Sequence, residues 1–106
     1  MRVAIACVLL TSLAHADLNA QHVRKVVKKH IRDIGACFEK HGDTDKRVQM
    51  AFTITKRGET TAVAASGEGN NQLHVCLVGV FRRMQFPASS TETKVTYPVH
   101  IIVAGQ

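Results

Sequence analysis

Across residues 19–40 the apolar side chains Val23, Val27, Ile31, Ile34 and Phe38 recur every three or four positions, which predicts one amphipathic helix with a single stripe turned to a core. Arg24, Lys25, Lys28, Lys29 and Arg32 fall between them and make the other face basic. Asn19 carries a side-chain oxygen suited to capping the first turn, Gly42 can stop the helix, and residues 43–46 read as a polar loop. The period then shortens to two. Val48, Met50, Phe52 and Ile54 alternate with Gln49, Ala51, Thr53 and Thr55, as a strand with one buried face requires. Residues 56–59 (Lys-Arg-Gly-Glu) form a turn in which Gly58 can take a positive φ, and residues 60–66 return as a weaker strand rich in Thr and Ala.

A Gly and Asn loop, residues 67–70, precedes a second helical pattern. Leu73, Leu77, Val80, Phe81 and Met84 share one face of it, and Pro87 ends it. After Ser89, Ser90 and Thr91, a last strand alternates Val95, Tyr97, Val99 and Ile101 with Thr96, Pro98, His100 and Ile102. The order helix, strand, strand, helix, strand predicts an α+β fold, because two amphipathic helices need a common apolar surface. One face of a three-stranded antiparallel sheet supplies it. Proline lacks a ladder donor, so Pro98 places the last strand at the sheet margin.

The first 16 residues follow another pattern. Met1-Arg2, an apolar run over residues 3–13 and then Ala14-His15-Ala16 read as a secretory signal cleaved after Ala16. The run is shorter than the roughly 20 residues of a spanning helix, so no membrane span is expected after cleavage. Lipidation at Cys7 is disfavoured, since only Ala4-Ile5-Ala6 and Val3 precede the thiol as hydrophobic region. Residues 17–106 suffice for one domain with a modest core. The whole chain has 14 Lys and Arg against 8 Asp and Glu; removing Arg2 leaves 13 against 8, a net charge of +5. Low-complexity tracts, repeats and Pro-rich linkers are missing from the sequence.

Catalytic readings find little support. His22, His30, His41, His74 and His100 remain after the signal, and none pair at the spacing of a helical metal site. Cys37 and Cys76 lack the Cys-x-x-Cys spacing of thiol oxidoreductases, and no nucleophile signature surrounds either. No cofactor is expected. The basic helix face suits phosphates in principle, but an exported chain with one tyrosine and four phenylalanines offers no stacking platform for nucleic acid. Such a face is most often solvated surface.

Five segments together carry a family resemblance: Cys37-Phe38-Glu39 after the basic helix, the Val48–Ile54 strand, Cys76, Arg82 through Phe86-Pro87, and Thr96-Tyr97-Pro98. The chain over residues 26–103 resembles the TonB-like carboxy-terminal domain of the AgmX/PglI type, a small periplasmic protein-interaction module. It departs from that pattern where Met84 replaces an aromatic before Phe-Pro, and where Lys56-Arg57-Gly58 replaces a Pro-Asp-Gly turn. It also lacks the retained membrane helix and Pro-rich spacer of full TonB-type transducers, which sets force transduction in doubt.

The resemblance implies a periplasmic or secreted, non-enzymatic domain that docks envelope proteins by pairing an extended peptide with an exposed sheet edge. The residues concerned are Lys94, Thr96, Tyr97, Pro98 and His100, with Tyr97 doubling as a core or sheet-face residue. Export, an even cysteine count and the family's cysteine in each helix predict a Cys37–Cys76 disulfide; the alternative is two buried thiols that never meet. The rival binding surface is the basic face of Arg24, Lys25, Lys28, Lys29 and Arg32. It would contact anionic lipid headgroups, acidic envelope polymers or an acidic partner. Arg82 and Arg83 are expected to stabilise the end of the second helix through its dipole.

Overall fold

The computed structural model describes residues 18–41 and 46–100. The signal segment with its cleavage site, the Gly42 stop, residues 43–45 and the continuation of the last strand through Ile101 and Ile102 lie outside the described residues. The elements are α1 (Ala20–Lys29), α2 (Ile31–His41), β1 (Arg47–Ile54), β2 (Thr60–Gly67), α3 (Asn71–Arg82) and β3 (Thr93–His100). They form an α+β fold around an antiparallel sheet of order β2-β1-β3.

The first helix differs from expectation. Asn19 caps α1 as predicted: its side chain accepts from the His22 N–H, and the His22 ring accepts from the Asn19 N–H. The helix then breaks at His30, whose N–H donates to the Val27 carbonyl three residues back at 2.9 Å, and α2 restarts with the Ile34 N–H on the His30 carbonyl at 3.0 Å. This tightened turn resets the helical phase. The buried set is therefore Val23, Val26 and Val27, then Ile34, Cys37 and Phe38, while Ile31 is 47% exposed. The predicted second helix, α3, is also shorter than Pro87 would allow. It ends at Arg82 with Arg83 as its C-cap, so Met84 is buried from outside the helix.

On β1 the alternation holds: Val48, Met50, Phe52 and Ile54 are buried against the helices. Phe52 lies at the centre, its ring 5.5 Å from that of Phe81 and 6.0 Å from that of Phe86. A disulfide joins Cys37 of α2 to Cys76 of α3, with Cα atoms 5.7 Å apart and a sequence separation of 39. Constraining a loop of that size in the unfolded chain contributes about 4 kcal/mol on the entropy model. Asn70 joins the same two helices by hydrogen bonds. Its side chain accepts from the Leu73 N–H at the start of α3 and donates to the His41 carbonyl at the end of α2.

The segment after α3 folds back onto the β1–β2 turn. Phe86 N–H donates to the Gly58 carbonyl, Ser89 N–H to that of Lys56, Thr60 Oγ1 to that of Met84, and the Gln85 side chain to that of Arg57. Gly58 has φ +92°, and a Cβ there would stand 1.9 Å from the Phe86 carbonyl oxygen, so only glycine fits. The Met84-Gln85-Phe86 stretch thus acts as a strap across the turn, with Met84 and Phe86 buried.

Candidate functional site

With order β2-β1-β3, the sheet has two margins, and β3 forms one of them. Its eight residues pair with β1 in unbroken register, from Arg47↔His100 to Ile54↔Thr93. Which backbone groups face outward follows from β1. The Arg47 carbonyl accepts from the Glu68 N–H on the β2 side, so residues 47, 49 and 51 turn their amides toward β2, and 48, 50, 52 and 54 toward β3. Val95, Tyr97 and Val99 therefore point their backbone groups inward at β1. Lys94, Thr96 and Pro98 point theirs out. The missing N–H of Pro98 falls on the outer side, where it costs the sheet no bond.

The same phase sorts the side chains. Lys94, Thr96 and Pro98 stand exposed on the sheet face away from the core, with His100 half-buried at the strand's end. Val95 and Tyr97 are half-buried and pack against the core. Four of the five residues expected at a docking edge thus share one face and one margin, and Tyr97 lies on the other face, opposite Met50. A shallow hollow of about 260 Å³ opens on the exposed face between Ala51, Thr53, Ala62, Lys94 and Thr96. Backbone donors and acceptors along this margin can pair with an extended chain, and the hollow can take one of its side chains.

The basic surface is brought together only in part. Arg24, Lys25 and Lys28, with Gln21 and His22, line a hollow of about 390 Å³ on α1. Lys29 closes α1 and Arg32 lies past the break on α2; both are exposed and neither lines the hollow. α1 contains no acidic residue, so Arg24 and Lys28, or Lys25 and Lys29, repel across one turn by a few tenths of a kcal/mol, roughly. Lys28 and Lys29 recover part of this at the negative end of the helix dipole.

Among the described residues, no three His, Cys, Asp or Glu side chains gather closely enough to hold a metal ion, and no helix is long and apolar enough to cross a membrane. Cys37 and Cys76 are both consumed by the disulfide. Arg82 lies in the last turn of α3, where a cation favours the helix dipole. The residues that the pattern of the sequence leaves unassigned are on α3. Val75 and Gly79 lie off the core stripe and Val78 packs at its border, and the apolar character of that side of the helix was the signal for them. Comparison with protein-family models, with curated proteins and with solved structures finds no match to this chain.

Proposed function

We propose that this chain is a non-enzymatic protein-interaction module of the cell envelope, similar to the TonB-like AgmX/PglI carboxy-terminal domain, acting in the periplasm or outside the cell after removal of residues 1–16. It docks envelope proteins by accepting an extended segment along the outer edge of β3. The observation that carries this reading is the regular eight-residue strand at the sheet margin, with no strand outside it among the described residues. Lys94 and Thr96 offer a donor and an acceptor each, and Pro98 an acceptor alone. The partner ladder therefore runs over the Thr93 half of the strand. Main-chain bonds there supply affinity, and the open face beside Thr96 selects the partner's side chains.

A second reading rests on the three cations that meet over the α1 hollow with no carboxylate in that helix. It makes α1 a contact for anionic headgroups, acidic polymers or an acidic protein. Salt separates the two, because exposed charge attraction is screened over about 8 Å at physiological ionic strength whereas strand pairing rests on backbone hydrogen bonds. The test is photo-crosslinking in cells that export the protein, with the reactive residue placed at Thr96, at Ser66 on β2, or at Lys28. Edge docking gives one protein adduct, strongest from position 96 and retained at raised salt in isolated envelopes. Adducts only from position 28, lost with salt, would replace this reading with the second.

A further inference from the structure

The side of α3 turned away from the core is itself apolar. Leu73, Leu77, Val80 and Phe81 are buried, yet Val75 is 63% exposed, and Val78 and Gly79 are half-buried. Asn71, Val75, Val78 and Arg82 follow one another at four- and three-residue steps, with Gly79 beside Val78, and so form a single outer stripe. Val75 is a ridge between two hollows. One, of about 420 Å³, lies toward β2 among Ala65, His74, Val78, Gly79 and Arg82. The other, of about 340 Å³, lies toward the end of α2 among His41, Gln72 and Cys76. At Gly79 a Cβ would have only an Arg83 guanidinium nitrogen near it, at 3.7 Å, so the helix surface is notched there and another backbone can approach closely.

The charged side chains at this surface are Arg82 and, beside Gly79, Arg83, and both are cationic. Arg82 stands exposed at one end, His74 and His41 border the hollows, and no carboxylate lines either one. We propose that the outer stripe of α3 docks an acidic amphipathic helix of a partner protein. The partner's apolar residues, spaced i, i+4 and i+7, occupy the hollows on either side of Val75, and a carboxylate from its polar face pairs with Arg82. A second copy of this chain is a poorer occupant, because the same face of a copy brings another Arg82 and no acid. The surface is separate from the β3 edge, since α3 packs along β2 at the opposite margin.

The probe is a synthetic helical peptide of about 18 residues, long enough to hold a helix, with leucines at those spacings and glutamates elsewhere, alongside a counterpart with every glutamate replaced by lysine. Both are titrated into the oxidised protein while backbone amide shifts are followed. The acidic peptide should shift Ala65, His74, Val75, Val78, Gly79 and Arg82, and the lysine counterpart should bind about tenfold more weakly or not at all. Val75→Glu and Arg82→Glu, both at exposed positions and so compatible with the fold, should each weaken the acidic peptide by about tenfold. Shifts confined to α1 or β3, binding that survives both substitutions, equal affinity for the two peptides, or no binding would overturn the proposal. Self-association of the protein alone that Val75→Glu abolishes would overturn it too, by making a second copy the occupant.

Discussion

The two margins of this sheet are built differently. β2 leaves its register between Ala51 and Thr53, where two of its residues oppose one of β1, and Ala62 takes φ +52° at that bulge. Its start is held by the strap: Glu59, just before it, bridges to Gln85, and Thr60 donates to the Met84 carbonyl. α3 lies along it. β3 has neither bulge nor strap, and runs straight for eight residues. Bulges and covering segments are ways of keeping an edge from pairing with another chain. Among the described residues, β3 relies on Lys94 and Pro98 alone, one a charge and the other a missing donor. A domain that closes one margin by architecture and guards the other by two side chains has kept the second available under restriction, and that asymmetry is the physical content of the docking proposal.

The largest expected effect comes from undoing the covered side. Phe52→Ala removes the ring that Phe81 and Phe86 pack on, and should cost about 3–5 kcal/mol in a chemical-denaturation series. Amide exchange in the variant should quicken first at Phe86 and Ser89, whose N–H groups hold the strap, rather than along β3. Gly58→Ala comes next. With a positive φ and a backbone oxygen in the path of the new Cβ, it should cost about 2–4 kcal/mol and release the strap, giving β2 an accessible edge. An unchanged denaturation midpoint in either variant would break the account of how that margin is closed.

Pro98→Ala tests the other margin. It restores an outward donor with little change in stability, within about 1 kcal/mol, and should raise self-association measured by sedimentation as the edge becomes a more complete template. No change in association would mean that the edge is blocked by something other than Pro98. The smallest effect is expected at the bulge. Ala62→Gly relieves a left-handed residue and should stabilise by about 0.5–1 kcal/mol, leaving β3 amide shifts unmoved.

Much of this was legible in the sequence because periodicity reports burial directly. The alternation of residues 48–54 predicted the face on which Val48, Met50, Phe52 and Ile54 are buried, and Pro98 predicted a strand at the margin. A cysteine in each helix predicted the disulfide. The break at His30 was not legible, since Val23, Val27, Ile34 and Phe38 keep helical spacing in the sequence on both sides of it and only the exposure of Ile31 reveals it. Nor was the strap. The pattern places Met84 on the helix stripe, and what removes it from the helix is a set of hydrogen bonds to a turn more than 20 residues earlier. Periodicity carries no record of such long-range partners. Met84 and residues 56–58 meet at that strap. The outer stripe of α3 was hidden for another reason: Leu73, Leu77, Val80 and Phe81 account for the helical period by themselves and leave the apolar residues beside them unassigned.

The central claim is that the β3 edge, and not the basic helix, receives the partner. An amide-shift and exchange titration with the extended segment of a crosslinked partner tests it most directly. The account predicts that Lys94 and Thr96 amides shift and become protected, that residues 24–32 change little, and that affinity persists as salt is raised through physiological strength. Shifts confined to Arg24, Lys25, Lys28, Lys29 and Arg32, with binding abolished by that salt, would contradict it.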